Sequence, residues 1–381
     1  MPHIIIIGAG LAGLASALSL RRAGHKVRVF EASQLTPGDT EGTVSQIGPK
    51  VDNILKRWGV DAAVARPVLI REVFKFGLNG ELKSKEDGPK PVRGQLRQLG
   101  SKMLIKPVYI QPGWKYYQRS RLHEALLKAA TSPEGVGDPV VLVLGTTIDA
   151  IDPQAGLVTL QDGQAYHGDA IIGADGWNSV SRRAAPHNGA IVPAPAKVAI
   201  HLSVDISAHE QNEIVRRFRL QPERYEIWTG ADVELKVYSV DSGSILVDAT
   251  LPVRSDTDLC AQSLESQLLR KFHSTDSPLG DLLAAAEAKN LQFWFHPNLP
   301  VVREWALGRL ALIGDAAHPF LPFEPPGTSQ SITGADALAD ALGSDVRVED
   351  VPKYLAAWVS PRKERVKTIQ GMERKGWLSA S

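Results

Sequence analysis

The sequence predicts an α/β protein in which a parallel-sheet domain is interleaved with an antiparallel-sheet domain and followed by a C-terminal helix. Three observations lead to this fold class. The first 31 residues contain a complete strand–helix–strand pattern. Residues 190–255 alternate apolar and polar side chains, as an antiparallel sheet with one solvent-facing side does. The strand-and-helix pattern returns at residues 309–342, so the chain leaves the parallel domain and later re-enters it.

The N-terminal unit carries the strongest pattern. Residues 3–7 contain an uninterrupted isoleucine run, which is typical of a central parallel strand covered on both faces. After a glycine-rich turn, residues 11–23 form a helix rich in alanine and leucine, which Gly24 ends. Residues 26–30 are the second strand.

The rest of the chain shows further helical and extended patterns. We expect helices at 49–58 and 120–130, strands at 139–144 and 170–172, antiparallel strands at 197–204, 235–238 and 244–250, a mainly helical stretch at 256–290, a strand at 309–313 and a helix at 329–342.

Composition excludes several functional classes. The chain carries 43 lysines and arginines against 42 aspartates and glutamates without a basic cluster, so we expect no nucleic-acid partner. The single cysteine, Cys260, excludes an internal disulfide and a cysteine-ligated metal, and we expect no metal site. Neither a signal sequence nor an apolar stretch of about 18 residues is present, which predicts a cytoplasmic protein without a transmembrane segment. A monomer and a homodimer are both compatible with the sequence.

The glycine-rich turn predicts a dinucleotide site. Gly8, Gly10 and Gly13 form a G-x-G-x-x-G motif after a strand and at the start of a helix. In this motif the first glycine permits the turn, the second lets backbone approach a pyrophosphate, and the third lets the helix pack on the strand. The motif alone does not distinguish NAD from FAD.

Two neighbouring features strengthen this prediction. The backbone N–H groups of the first helical turn, at Leu11 and Ala12, and the helix dipole attract phosphate oxygens. Glu31 stands 18 residues after Gly13, where a carboxylate can accept hydrogen bonds from ribose hydroxyls.

A second motif near the C-terminus indicates which dinucleotide binds. Residues 308–319 form a strand that ends in Gly-Asp and turns into a proline-rich loop, and Thr328 follows at a helix start. This segment resembles the second FAD fingerprint of the class A flavin monooxygenases, the family of salicylate and para-hydroxybenzoate hydroxylases. The resemblance implies that Asp315 binds the ribityl chain. It also implies that the helix N-terminus at Gly327 and Thr328 faces the flavin, where a helix dipole stabilises negative charge.

Three other segments resemble the same family, so the resemblance covers most of the chain. Residues 170–182 match its Asp-Gly motif, which implies that Asp175 lies near the pyrophosphate. Arg119 matches the arginine of a short R-x-x-L helix start, which contacts FAD in relatives. Residues 42–60 resemble the flavin-edge loop and the helix after it, which implies that Thr43 and Val44 contact FAD.

The resemblance implies a chemistry and a division into domains. FAD would be bound tightly without a covalent link, with NADH or NADPH as a transient co-substrate and O2 as the oxidant. A flavin C4a-hydroperoxide would then hydroxylate or epoxidise an aromatic or other electron-rich ring of a small molecule. A Rossmann-like FAD-binding domain would comprise residues 1–70, 100–190 and 295–345. Residues 71–99 and 191–294 would form a substrate-binding sheet domain, and residues 346–381 a C-terminal helical segment.

Candidate residues for the substrate side come from the strand patterns. His201 occupies a strand position where many relatives have an arginine, and its ordinary pKa suits proton transfer with a phenol-like substrate. Tyr238 could line the same pocket, and Trp228, Pro322 and Phe323 would supply apolar walls. The alternative for both His201 and Tyr238 is a structural role in the sheet. His318, next to the Gly-Asp motif, is interpreted as a structural residue of the turn.

One departure from the family leaves other functions open. Relatives commonly have Gly-Gln-Gly where this chain has Pro325-Pro326-Gly327, and prolines remove backbone donors and stiffen the loop. A non-oxygenating FAD oxidoreductase of the same superfamily is one alternative. A flavin-binding protein without catalytic activity is the other, and the two prolines are its only support.

Overall fold

A computed structural model of the chain describes residues 1–35, 44–87, 113–185, 195–230, 233–239, 243–252, 277–285, 291–297, 302–320 and 326–378. The described strands are β1 (His3–Ile7), β2 (Lys26–Phe30), β3 (Val44–Ile47), β4 (Val68–Leu69), β5 (Glu72–Gly77), β6 (Leu82–Asp87), β7 (Lys115–Gln118), β8 (Val141–Val143), β9 (Ile148–Asp152), β10 (Leu157–Leu160), β11 (Ala165–His167), β12 (Ala170–Gly173), β13 (Pro195–Asp205), β14 (Arg224–Thr229), β15 (Glu234–Ser239), β16 (Ser244–Pro252), β17 (Leu291–Pro297), β18 (Ala306–Leu307) and β19 (Leu310–Leu312). The described α-helices are α1 (Leu11–Arg22), α2 (Pro49–Arg57), α3 (Ala62–Ala65), α4 (Arg119–Thr131), α5 (Val180–Ala184), α6 (Glu213–Leu220), α7 (Pro278–Ala285), α8 (Pro326–Ala341) and α9 (Val351–Leu378).

The predicted parallel sheet is present and has six strands in the order β18-β19-β12-β1-β2-β8. Every neighbouring pair is parallel except β18 with β19. Ile4 to Ile7 on β1 are each at most 4% exposed, because helices cover both faces of a central parallel strand. The carboxyl ends of β1, β2, β12 and β19 meet at one edge of the sheet, and the predicted cofactor motifs follow these strands.

The predicted antiparallel sheet has seven strands in the order β17-β13-β16-β15-β14-β5-β6. The pair β14–β5 is its parallel exception. One face carries Val198, Ile200 and Leu202, which form a buried cluster with residues of α6 and α7. Strands from residues 72–87 and from residues 195–297 thus share one sheet and one core.

The other face of this sheet differs from the expectation of a solvent-facing side. It bears polar side chains, yet it is buried beneath a small sheet with the order β3-β7-β4. Tyr116 of β7 packs in one cluster with Tyr225 and Tyr238 of the large sheet. The prediction of a wet face was therefore wrong, because a second polar and aromatic layer takes the place of water.

The C-terminal helix is confirmed as α9, and it packs on α8. Its Trp358 donates its indole N–H to the carbonyl of Gly334 at 3.1 Å, and Arg362 donates to the carbonyl of Gln330 at 2.9 Å. The helix α8 begins at Pro326, three residues before the predicted start. Proline suits this position because its fixed φ is helical and the first turn needs no N–H donor.

None of the described helices is both long and apolar enough to cross a membrane. No group of three or more histidine, cysteine, aspartate or glutamate side chains in these ranges is arranged to hold a metal ion.

Candidate active site

The glycine-rich loop between β1 and α1 is tightly packed at two of its three glycines. Gly8 has a φ of +98°, and an added Cβ would lie 2.6 Å from the carbonyl oxygen of Ala174. A Cβ added at Gly13 would lie 1.9 Å from the carbonyl oxygen of Gly8. The fold itself therefore requires glycine at both positions.

Gly10 shows the opposite behaviour. Its φ of −68° is open to any residue, and an added Cβ would meet no atom of the described residues within 4 Å. Nothing in the described parts of the chain therefore requires glycine here. Open space beside a backbone that begins a helix is the environment in which a phosphate can contact N–H groups.

The start of α1 and Glu31 lie together at the carboxyl edge of the parallel sheet. The space beside them, between the loops that follow β1, β2, β12 and β19, is called the cleft. Leu11 buries its side chain in the core, so its backbone is the part that can meet a ligand, and Ala12 is half-buried. The Glu31 carboxylate accepts the N–H of Ala9 at 2.6 Å and the N–H of Ser33 at 2.8 Å. These bonds fix the carboxylate and leave acceptor capacity for further donors.

Asp315 and Arg119 lie close enough to each other for their charges to interact. Asp315 follows β19 and is exposed, and Arg119 begins α4 and is half-buried. Protein nevertheless surrounds both so closely that burial raises the pKa of Asp315 and lowers the pKa of Arg119. The charge of each group opposes the pKa shift of the other. Within the described ranges the Arg119 guanidinium has no hydrogen-bond partner, so it can bind a ligand.

The Asp-Gly turn after β12 is held by its own side chains. Asp175 accepts hydrogen bonds from the Ser179 hydroxyl at 2.5 Å and from the Ser181 N–H at 2.9 Å. The buried Arg182 guanidinium donates to four carbonyls, those of Gly176, Trp177, Asp315 and Ala316. Arg182 therefore joins the turn after β12 to the turn after β19. Asp175 shapes its turn, and its direct contact with a pyrophosphate stays a prediction.

The start of α8 is connected to β3. The hydroxyl oxygens of Thr328 and Ser45 lie 2.8 Å apart, and Gly327 accepts a hydrogen bond from the Ser331 hydroxyl. Val44 is half-buried on the same strand β3. Three predicted site residues lie outside the described residues: Thr43, Pro322 and Phe323.

His201, Asp248 and Tyr238 form a buried hydrogen-bonded chain on the polar face of the seven-stranded sheet. His201 on β13 lies directly opposite Asp248 on β16, with 2.5 Å between Nδ1 and Oδ1. Tyr238 on β15 donates its hydroxyl to the other carboxylate oxygen of Asp248. Burial and the charge of Asp248 raise the pKa of Tyr238 well above its ordinary value, so Tyr238 stays protonated at neutral pH.

An aromatic cluster connects the hydrogen-bonded residues His201, Asp248 and Tyr238 to β3. The ring of Tyr116 stacks on that of Tyr238 with 4.8 Å between centroids, and Tyr225 packs against both. Gln46 donates its amide to the Tyr225 hydroxyl at 3.1 Å. Because Gln46 adjoins Ser45 on β3, a continuous set of contacts runs from α8 to His201.

Trp228 lies on the opposite face of the sheet from His201. It is fully buried, stacks on Phe76 with 4.6 Å between ring centroids, and donates its indole N–H to Glu226 at 3.0 Å. Its neighbours belong to the core under α6 and α7. The expectation that Trp228 lines the substrate pocket is therefore not retained.

Comparison with known proteins shows which family the chain belongs to. A family model described as "FAD binding domain" matches residues 2–371. FAD-dependent monooxygenase cfoG of Aspergillus candidus is 30% identical over 98% of this chain and 85% of its own length. The chain belongs to the class A FAD-dependent monooxygenase family. Hispidin-3-hydroxylase of Neonothopanus nambi is 27% identical over 96% of this chain and 86% of its own length.

Solved structures support the fold of this monooxygenase family member. The crystal structure of CtdE in complex with FAD and substrate 4 has a TM-score of 0.79 and 18% sequence identity. The likeness covers 98% of this chain and 88% of that chain. The parallel sheet, the antiparallel sheet and the C-terminal helix are thus features of the family fold.

The cleft of this monooxygenase family member fits FAD on its own geometry. Any Cβ at Gly10 would enter a space in which the described residues place no atom. The unpartnered Arg119 guanidinium and the exposed Asp315 carboxylate lie in the same cleft. The described residues do not explain why position 10 is glycine, and they leave the charged groups of Arg119 and Asp315 accessible. A bound dinucleotide would fill the space and bind these groups.

Some site residues of this flavoprotein were not found by sequence reasoning. Asp248 is 47 residues from His201, and no pattern in a single sequence gives the register that pairs them. Gln46 and Tyr116 come from a sheet that the patterns did not predict. Arg182 belongs to the Asp-Gly motif, where a buried arginine could have indicated a link to another turn.

His318 follows the Gly-Asp turn and gives this flavoprotein a defined acid sensitivity. It packs between Trp305 and Phe320, and burial, assisted by the positive charge of Arg362, lowers its pKa to about 3. The unfolded chain binds a proton at this histidine below about pH 6.5, whereas the folded chain does not. Stability is therefore complete above that pH and falls toward pH 3, by about 1.4 kcal/mol per pH unit.

The variant His318→Asn tests this linkage. Between pH 6.5 and 5.0 the free energy of unfolding should fall in both proteins. We expect the fall to be smaller in the variant, and the difference between the two falls to be about 2 kcal/mol. Urea unfolding at both pH values measures the difference. The exposed His167 supplies the control, because His167→Asn should leave the slope unchanged. Equal slopes for His318→Asn and the unaltered chain would contradict the prediction.

Proposed function

We propose that the protein is an NAD(P)H- and O2-dependent FAD monooxygenase that hydroxylates or epoxidises an aromatic or other electron-rich ring. The observation that carries the proposal is the buried His201–Asp248–Tyr238 chain on the sheet face connected to α8 and β3. Removing the proton from a ring hydroxyl makes the ring more electron-rich and more reactive toward an electrophilic oxygen. Returning the proton reverses this effect.

The dinucleotide cleft would hold the cofactor through complementary groups. The backbone at Gly10 to Ala12 and the Arg119 guanidinium would bind phosphate oxygens, and Glu31 and Asp315 would accept hydrogen bonds from hydroxyl groups. The N-terminus of α8 at Gly327 and Thr328 would favour negative charge beside it. When bound, FAD supplies hydride acceptance from NAD(P)H and the activation of O2.

The residues of the sheet would handle the substrate proton. Asp248 accepts a hydrogen bond from the Tyr238 hydroxyl and faces His201 Nδ1, so it orients the imidazole. His201 could then take a proton from a substrate hydroxyl and return it later. The buried aromatic side chains of Tyr116 and Tyr225 exclude water from the hydrogen-bonded His201–Asp248–Tyr238 group. A dry site strengthens each of these interactions.

The names of the relatives agree with this reading. One is an FAD-dependent monooxygenase and another a hydroxylase of hispidin, and both cover nearly all of this chain. Their names support oxygen insertion by this chain as well. The names of the relatives do not identify the ring compound that this protein accepts.

A product measurement tests the proposal. The purified protein would first be examined for the visible absorbance bands of bound flavin. It would then be incubated in air with NADH or NADPH and a panel of phenols, indoles and hydroxylated heteroaromatic compounds. We expect one ring compound to accelerate NAD(P)H oxidation and to yield a product that is one oxygen atom heavier, with that atom derived from 18O2. Flavin reduction without an oxygenated product from any compound would favour the non-oxygenating oxidoreductase instead.

A further inference from the structure

The backbone of Ala9, in the centre of the glycine-rich loop, is held from two sides. The N–H of Ala9 donates to Glu31 Oε2 at 2.6 Å. The carbonyl oxygen of Ala9 lies 2.7 Å from Nε2 of His123, a buried side chain on α4. Sequence analysis assigned no role to His123, and the R-x-x-L pattern that identifies Arg119 ends one residue before it.

The protonation of this imidazole follows from its partner. A carbonyl oxygen can only accept a hydrogen bond, so Nε2 of His123 must carry the proton and donate it to Ala9. Burial lowers the pKa of His123, and the nearby Arg119 charge lowers it further. The ring is therefore neutral at neutral pH, with its single proton on Nε2.

Helix geometry places His123 beside a cofactor residue. Arg119 and His123 are four residues apart on α4, and residues with this spacing lie on one face of a helix. The first turns of α4 thus present the Arg119 guanidinium to the cleft and the His123 imidazole to the loop. Both side chains interact electrostatically, as does Glu31 with His123.

The bond from His123 also fixes the neighbouring peptide plane. No described peptide bond is cis, so the carbonyl of Ala9 and the N–H of Gly10 point in opposite directions. Holding the carbonyl toward α4 aims the Gly10 N–H away from it. Gly10 is the residue whose surroundings are open to a ligand.

We propose that His123 is a positioning residue for FAD binding, which holds the Ala9–Gly10 peptide in the orientation that receives the pyrophosphate. Its hydrogen bond sets this orientation before FAD arrives, so less ordering remains to be done on binding. The proposal concerns cofactor affinity and does not depend on the substrate or on the oxygen chemistry.

Titration of the apoprotein with FAD tests the proposal through paired variants. His123→Leu removes the donor, whereas His123→Gln keeps an amide N–H that can reach a carbonyl. We expect the leucine variant to raise the Kd for FAD about 10-fold or more, and the glutamine variant to remain within about threefold of the unaltered chain. The neighbouring exposed residue supplies the control, because Glu124→Gln should leave the Kd unchanged.

Two further measurements keep this test independent of general damage to the fold. Urea unfolding of each apoprotein shows whether the Kd change exceeds any loss of stability. Nitrogen-15 spectra of histidine-labelled protein report the tautomer of His123 in the unaltered chain, with assignment by comparison to His123→Gln. Unchanged FAD affinity in His123→Leu, equal losses in both His123 variants, or a proton on Nδ1 would each overturn the proposal.

Discussion

Replacing Gly10 by alanine is expected to raise the Kd for FAD at least about 100-fold while the apoprotein stays folded. Gly10 has an ordinary φ, and within the described parts of the chain no atom lies within 4 Å of the new methyl group. We therefore expect the free energy of unfolding of the apoprotein to change by less than about 1 kcal/mol, as for other substitutions at a helix start. The methyl group would instead occupy the space beside the backbone N–H groups, and losing about two charge-assisted hydrogen bonds explains the affinity change.

Gly13→Ala supplies the contrasting variant. Its methyl group would lie 1.9 Å from the Gly8 carbonyl oxygen, so the loop or the helix must move. We expect the apoprotein to lose about 3 kcal/mol or more of stability, as overpacked cores do, and FAD binding to fail as a consequence. Urea unfolding of the apoproteins and FAD titration separate the two effects. Normal FAD affinity in Gly10→Ala would show that the pyrophosphate does not approach this residue.

The parallel domain was predictable because its signals are local. A buried parallel strand needs an unbroken apolar run, as in Ile4 to Ile7, and the turn that follows needs glycine at fixed positions. The backbone requires glycine at positions 8 and 13, whereas no described protein atom requires it at position 10. The position of each glycine in the motif predicted its role, and the structure adds how little room Gly8 and Gly13 have for a Cβ.

The environment of the second sheet was not predictable from alternation. Polar residues at alternate positions of β13, β15 and β16, interrupted by Ala199 and Leu246, show that one face is largely polar, but not what covers it. Water and a layer of tyrosines with Gln46 both satisfy polar side chains, so the sequence pattern is the same for either. The short strands of the covering sheet are too brief to give a period of their own.

The same limit explains the two outcomes at the candidate substrate site. His201 and Trp228 lie on different strands, and alternation within a strand does not tell which face a second strand shares. Pairing across β13, β16, β15 and β14 sets the faces, and it places Asp248 and Tyr238 with His201 but Trp228 opposite them. Register is a tertiary property, so only the structure supplies it.

Replacing His201 by asparagine is expected to lower the kcat for product formation about 100-fold or more, the usual contribution of a positioned acid or base. Asparagine keeps a polar group in the sheet but cannot exchange a proton near neutral pH. Asp248→Asn should have an intermediate effect, because it removes the carboxylate that orients the imidazole. Tyr238→Phe should cost less than about 10-fold, since it removes one hydrogen bond to Asp248.

Separate readouts distinguish proton transfer from a general loss of structure. The anaerobic rate of flavin reduction by NAD(P)H and the bound FAD per chain should stay unchanged in His201→Asn, while more of the NAD(P)H consumed is lost as hydrogen peroxide. His167→Asn, at an exposed strand position, should match the unaltered chain in every readout. Unchanged turnover of FAD-loaded His201→Asn would leave the histidine as a structural partner of Asp248. A buried imidazole that faces a carboxylate is costly to maintain for packing alone, and this is the physical reason to expect the larger effect.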